Sequence, residues 1–279
     1  MIRQHYDGGD PAEAVAEVAR RLAALPNEAL TAARLAALDQ FHVRGLAATA
    51  DLARIAGIEP QMTVLDAGSG LGGPARFLAE SIGCRVIGVD LSPSFVAVAQ
   101  LLAERTGVSD RVTFEIGDLA ALRFADARFD VVWTQHVLMN VRDRTRIYGE
   151  FRRVLKPAGT LAFYDVVADD GGRNVVFPVP WATSATTSFL LTADETVAAL
   201  TRAGFAVDSW RDVSADGIAA FARAGPPSSD DLSLANVMGP RFGEMATNVA
   251  RNLREGRIRL VMGRCTAATT PIRPGAPPP

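Results

Sequence analysis

Apolar positions recur at helical spacing through the first 57 residues and then give way to short continuous runs. From Pro11 to Leu25 an alanine-rich stretch sets Val15, Val18, Leu22 and Leu25 on one face, the spacing of an amphipathic helix. Pro26-Asn27 interrupts it, and Asn27 is suited to cap a second helix that begins at Glu28. A third helical stretch runs from Gly45 to Ala56 and ends at Gly57, a suitable C-cap.

Beyond that point strand-like runs alternate with helices. Thr63 to Asp66, Arg85 to Asp90, Val112 to Ile116, Phe129 to Thr134, Thr160 to Val166, Phe205 to Trp210 and Ile258 to Met262 read as strands. Pro74 to Ile82, Ser94 to Thr106, Arg144 to Leu155 and Ala193 to Ala203 read as helices. Apolar strands alternating with amphipathic helices predict a mostly parallel sheet covered on both faces. Two long connections break the alternation, 167–192 and 212–257. The second holds Gly217 to Ala224, a polar Pro-rich break from Pro226 to Asp231, and a helix from Arg241 to Glu255. Connections of that length are functional lids or lack order. The expected plan is a helical cap (1–57), an α/β domain (58–266) with lid-like insertions at 167–192 and 212–257, and a disordered Pro-rich tail (267–279).

Composition narrows the function classes. The 279 residues are 48% hydrophobic and 22% charged, ordinary for a globular protein with a sizeable core. A formal net charge of -2 offers no field for a polyanion, so nucleic acid is not an expected partner. No apolar run approaches the roughly 18 residues of a membrane span, and Met1 to Asp7 is not followed by the apolar core of a signal peptide. Cys84 and Cys265 are the only cysteines. They form neither a disulfide framework nor a metal spacing, and both are expected to be buried thiols. A cytoplasmic protein fits these features. Lys156 is the only lysine against many arginines, a bias of GC-rich bacterial coding.

The chemistry concentrates in Val64-Leu65-Asp66-Ala67-Gly68-Ser69-Gly70-Leu71-Gly72-Gly73. This run follows a strand and opens a helix, with Pro74 in the first turn. Its glycines permit positive φ and close approach of a ligand to the backbone. The helix start that follows presents N–H groups to an anionic group. Gly68-x-Gly70-x-x-Gly73, with Asp90 about twenty residues on, also satisfies the dinucleotide fingerprint, so a nicotinamide oxidoreductase stays open. Asp66 before the first glycine, a second acidic turn at Gly117-Asp118-Leu119, and a strand placed late in the chain after an insertion favour a different nucleoside ligand.

Asp66 to Gly73, Asp90, Gly117-Asp118, Phe129-Asp130-Val131-Val132-Trp133 and Arg153-Val154-Leu155-Lys156-Pro157-x-Gly159 follow in order. Together they resemble the successive motifs of class I, Rossmann-like S-adenosylmethionine-dependent methyltransferases, over roughly residues 60–210. Leu71-Gly72-Gly73-Pro74-Ala75-Arg76 and Trp133-Thr134-Gln135-His136 are similar to the bacterial small-molecule branch, with its quinone-ring and sarcosine/dimethylglycine methyltransferases. The resemblance implies a doubly wound, seven-stranded, mostly parallel sheet with an antiparallel last strand. To this it adds an N-terminal helical cap and a helical insertion before the last strand. It implies S-adenosylmethionine as cofactor and S-adenosylhomocysteine as product. Asp66 would face the methionine amino group. Gly68, Ser69, Gly70 and Gly72 would run under the cofactor. Asp90, with Leu91 beside it, would take the ribose hydroxyls. Asp118 and the Leu119 N–H would hold the adenine, and Thr134 and Gln135 would line the methionine end. A carboxylate at a strand end accepts two hydroxyl donors, and such charge-assisted bonds are strong.

On the acceptor side, His136 follows the fourth strand directly and is the candidate base; the alternative is a pocket wall. Asn140 and Gln135 are candidates for orienting substrate or cofactor. Phe41 and His42 lie between the helices of the expected cap. Trp181 and Phe189 belong to an aromatic connection placed to cover an apolar acceptor. Arg142, Arg144, Arg146, Arg152 and Arg153 read as a solvated helix face. No Asn-Pro-Pro-Tyr occurs at the fourth strand, which argues against adenine methylation in DNA. Strand five lacks the Asp-Asn pair of magnesium-dependent catechol enzymes, so no metal is expected. The expected activity is methyl transfer to oxygen, nitrogen or carbon of a small molecule. An NAD(P)-dependent oxidoreductase and a catalytically silent S-adenosylmethionine-binding protein are the alternatives. The oligomeric state stays open.

Overall fold

The computed structural model describes residues 10–23, 30–223 and 239–268. Seven strands form one sheet in the order β3-β2-β1-β4-β5-β7-β6. They are β1 (Thr63–Ala67), β2 (Arg85–Asp90), β3 (Val112–Ile116), β4 (Phe129–Gln135), β5 (Leu155–Val167), β6 (Phe205–Asp212) and β7 (Arg259–Ala267). β1 to β5 pair in parallel. β7 lies antiparallel between β5 and β6. The antiparallel strand inserted before β6 departs from the all-parallel 3-2-1-4-5-6 order of dinucleotide-binding sheets, and the seven-stranded mixed sheet is the architecture expected above.

The helices are α1 (Pro11–Ala23), α2 (Ala32–Asp39), α3 (Gly45–Ala56), α4 (Gly73–Ser81), α5 (Pro93–Arg105), α6 (Arg144–Val154), α7 (Ala193–Arg202), α8 (Ser214–Arg223) and α9 (Phe242–Arg254). Two apolar layers sandwich the sheet. Val64, Val86, Val131, Trp133, Ala162 and Tyr164 point to one side. Leu65, Val132, Leu161, Phe163 and Val261 point to the other. This is the period-2 alternation of strands buried on both faces. A smaller cluster joins Val18 and Leu22 of α1, Leu35 and Leu38 of α2, and Leu102 of α5. The N-terminal helices are thus packed onto the α/β body.

Several boundaries differ from the sequence reading. Asn27 and Glu28 lie outside the described residues. α2 begins at Ala32, where the Thr31 hydroxyl accepts from Arg34 N–H. β5 begins five residues before Thr160, because Leu155 pairs with Phe129 and a register shift follows before the ladder resumes. β7 reaches Ala267, the first residue assigned to the tail, because it is bonded on both sides, to β5 and β6. Its Gly263, Arg264 and Thr266 conceal the strand by interrupting the apolar run. Residues 269–279 and the Pro226–Asp231 break lie outside the described residues. Cys84 and Cys265 are buried and free. No described helix is long and apolar enough to cross a membrane.

Candidate active site

The sheet order reverses between β1 and β4, the switch point where open α/β sheets bind ligands at their carboxyl edge. The glycine turn leaves β1 there. Gly68 and Gly70 have φ of 82° and 52°, and a Cβ on Gly68 would lie 2.4 Å from Val137. Gly68 and Ser69 N–H both donate to Val89 O, at 2.8 and 3.1 Å, which ties the turn to β2. Asp90 ends β2, and its two carboxylate oxygens accept from Gly70 N–H (2.8 Å) and Ser92 N–H (2.9 Å). One acidic side chain therefore sets both the glycine turn and the start of α5. Asp118 does comparable work after β3, where Oδ1 accepts from Ala120 N–H at 2.9 Å.

A cavity of about 770 Å³ opens over this edge. Ligand sites typically measure about 300–1,000 Å³, so a nucleoside-sized molecule and a small second ligand fit together. Gly68, Gly70, Asp90, Leu91, Asp118 and Leu119 are part of its wall. Phe41, His42, Gln135, His136, Asn140 and Trp181 also line it. The Phe41 ring lies 3.6 Å from where a Gly70 Cβ would stand and packs 5.5 Å from Phe95, centroid to centroid. Trp181 is held by its indole N–H donating to Ser188 Oγ at 3.0 Å.

Polar groups gather where β4 ends. His136 has φ 51°, a left-handed geometry uncommon outside glycine and typical of functional turns. Its N–H donates to Tyr164 O at 2.7 Å, and its ring lies 4.6 Å from Tyr164 and 5.9 Å from His42. Burial, with His42 adding to it, holds the His136 imidazole well below its usual pKa. Burial likewise pushes His42 down to about 4. Both rings are neutral at pH 7. Gln135 Oε1 accepts from Trp133 Nε1 (3.0 Å) and Thr49 Oγ1 (3.3 Å). An indole N–H only donates, so the atom it meets is the amide oxygen. Gln135 Nε2 is left buried without a partner.

Five candidates stand off the cavity wall. Asp66 is buried behind the turn with Oδ2 unpartnered. Burial, reinforced by the charge of Asp90, pushes its pKa up to about 7. Ser69 and Thr134 are buried beneath the wall. Gly72 caps α4 with φ 75° and faces Phe114. Phe189 lies under the Arg142 guanidinium, 4.8 Å away, and its N–H donates to Met139 O.

Arg144 departs from the solvated helix face expected of it. Arg144 is 4% exposed, 3.7 Å from the buried Asp165, and donates to Phe189 O. It faces inward because α6 turns its first residue under the 188–190 strap. Arg142 and Arg146 line the cavity. The sequence reading also missed Arg44, Met139 and the far wall of Phe221, Phe242, Ala246 and Val249. The amphipathic pattern of α9 carried that signal, but which element its apolar face meets is a tertiary fact.

The model of a family described as a methyltransferase domain matches residues 65–163. The chain is 38% identical over 119 residues to a sterol 24-C-methyltransferase of Gibberella zeae, covering 43% of this chain and 31% of that one. It is 35% identical over 155 residues to methyltransferase GfsG of Streptomyces halstedii, covering 54% and 55%. A glycine/sarcosine/dimethylglycine N-methyltransferase of Actinopolyspora halophila is 35% identical over 117 residues, covering 42% and 21%. The chain spans about half or less of the length of these relatives. Among solved structures, a geranyl diphosphate methyltransferase with GPP and sinefungin superposes at TM-score 0.65 and 17% identity, covering 79% and 77%. The cyclase SpnF superposes at 0.60 and 25% identity, covering 80% of each chain. Residues 65–163 thus match a methyltransferase domain, and the sheet has the fold of these solved neighbours.

Proposed function

We propose that this protein transfers the methyl group of S-adenosylmethionine to a small organic acceptor, and that it works in a reducing compartment, the cytoplasm. The observation that carries the reading is the shared cavity. The glycine turn, Asp90 and Asp118 line the same space that His42, His136 and Trp181 line. The residues present fit the cofactor. Gly70 brings bare backbone to the wall, and Gln135 offers a buried N–H pair that lacks a partner. The two free buried thiols support the compartment.

In this reading Gly68 and Gly70 let the cofactor lie against the turn, Asp90 and Leu91 hold the ribose, and Asp118 and Leu119 hold the adenine. Gln135 meets the methionine end. Asp66 and Ser69, buried behind the turn with Gly72 and Thr134, shape the cradle. When bound, S-adenosylmethionine supplies a methyl carbon already activated by positive sulfur. The chain's task is to align the acceptor, exclude water and remove a proton where the acceptor carries one. His136, neutral at the wall, is placed for that last step. Phe41, His42, Asn140 and Trp181 orient the acceptor, and Phe189 backs the strap that carries Trp181.

The test is an acceptor screen with isotopically methyl-labelled S-adenosylmethionine, read by mass. Label in an added small molecule together with S-adenosylhomocysteine is the expected result. Binding of S-adenosylhomocysteine with no transfer to any acceptor class would contradict it.

A further inference from the structure

Trp133 and Gln135 stand two positions apart on β4, and side chains so spaced share one face of a strand. β4 is bonded on both sides, and the register partners of Trp133 are Asp66 of β1 and Ala162 of β5. Its backbone is therefore held at the centre of the sheet. Trp133 is fully buried, whereas Gln135, 9% exposed, lines the cavity. The indole N–H reaches along the strand and donates to Gln135 Oε1 at 3.0 Å.

That bond decides which end of the amide is left over. An indole N–H only donates, so it fixes the oxygen, and the nitrogen is turned to the other side. Thr49 Oγ1 also stands 3.3 Å from Oε1. A hydroxyl has one proton, however, and Gln40 Oε1 is nearer to it, at 2.7 Å. The indole is thus the donor committed to the Gln135 oxygen. Gln135 Nε2 is buried with no partner. A buried donor without an acceptor is costly, and a bound acceptor atom removes that cost. The terminal torsion of a glutamine is broad and two-fold. Without the indole N–H the amide is free to turn over and offer its oxygen where its nitrogen stood.

On the methyltransferase reading, in which Gln135 meets the methionine end of the cofactor, the carboxylate there is the acceptor that suits an amide N–H pair. We infer that Trp133 is a positioning residue for that end. It acts through Gln135, by holding the amide with its nitrogen available to the carboxylate. A turned-over amide would set oxygen lone pairs against a negative group. The indole thereby selects a ligand that carries an acceptor at this point, without itself standing on the cavity wall.

The test is calorimetry on the full chain with two probes, S-adenosylhomocysteine and methylthioadenosine. The second keeps the nucleoside and lacks the amino-acid end. Trp133→Phe should weaken S-adenosylhomocysteine about tenfold and leave methylthioadenosine unchanged. Gln135→Glu keeps the side-chain length and puts an oxygen in place of Nε2. It should weaken S-adenosylhomocysteine at least as much, again sparing methylthioadenosine. It should also move the indole N–H signal, in a nitrogen–proton correlation spectrum, that disappears in Trp133→Phe. In a Gln135→Ala background, Trp133→Phe should have no further effect on S-adenosylhomocysteine, because the two residues act through one bond. Equal losses for both probes, unchanged S-adenosylhomocysteine affinity in the single variants, or additive effects of Trp133→Phe and Gln135→Ala would overturn the inference. Failure of S-adenosylhomocysteine to bind the parent would instead overturn the methyltransferase reading.

Discussion

Asp39 and Arg76 form an ion pair in which both side chains are fully buried, Arg76 Nη2 lying 2.5 Å from Asp39 Oδ2. Asp39 ends α2, and Arg76 sits in the first turns of α4 and also donates to Leu71 O in the glycine turn at 2.7 Å. Gly73 packs against Asp39 so closely that a Cβ would meet it at 2.5 Å. The N-terminal helices and the glycine turn are thereby fixed to each other. Beyond Gln40 the chain passes onto the cavity wall at Phe41 and His42.

Removing one partner of such a pair leaves an uncompensated buried charge. Asp39→Ala should therefore cost about 3–5 kcal/mol of stability, measured by urea denaturation. Replacing both partners, Asp39→Leu with Arg76→Met, should recover much of that loss. A single variant as stable as the parent would show that the pair is not what holds the two elements together.

His136 should act as a base that stays neutral across the physiological range. Its lowered pKa places the acidic limb of the pH–rate profile well below pH 6.5, since a base loses activity as pH falls through its folded pKa. With a hydroxyl acceptor, His136→Ala should lower kcat by about 10²–10⁴-fold and abolish that limb, while S-adenosylhomocysteine affinity barely changes. Near-normal turnover would leave His136 a pocket wall.

Trp181 reaches the cavity from the 177–191 connection, pinned by Ser188 and by Asn248 donating to Pro178 O. Trp181→Ala should raise the acceptor's KM much more than that of S-adenosylmethionine. Equal effects on both substrates would assign the side chain to packing alone.

Asp66 should make stability depend on pH in an inverted sense for a carboxylate. Its pKa rises on folding from 3.8 to about 7. The stability it lends is therefore complete below pH 3.8 and is lost as pH rises through about 7. Asp66→Asn should raise Tm more at about pH 8 than at about pH 5. The opposite order would mean that the carboxylate is stabilised in its charged form.

What the sequence carried and what it hid divide along a physical line. The seven strands, the glycine turn and the carboxylates Asp90 and Asp118 were legible because each depends on local pattern: apolar runs, backbone freedom, and a side chain at a strand end. Asp39, Arg44, Arg144 and the wall from α8 and α9 were not. Arg144 shares its neighbourhood with four other arginines, and only the packing of Asp165 and the Phe189 strap separates it from a solvated face. Asp39 looks like any helix-terminal carboxylate until Arg76, 37 residues later, closes on it. Asp66 was legible as a motif position, but its burial behind the turn was not.

The central claim is that this cavity binds S-adenosylmethionine through the Asp90 end. Calorimetry with S-adenosylhomocysteine on the parent and on Asp90→Ala tests it directly. Losing hydrogen bonds to a charged group costs about 1.5–3 kcal/mol, roughly ten- to a hundredfold in affinity. The account predicts one saturable site in the parent, weakened by that factor in a folded Asp90→Ala variant, and no comparable binding of NAD. No binding to the parent, or unchanged affinity in the variant, would contradict it.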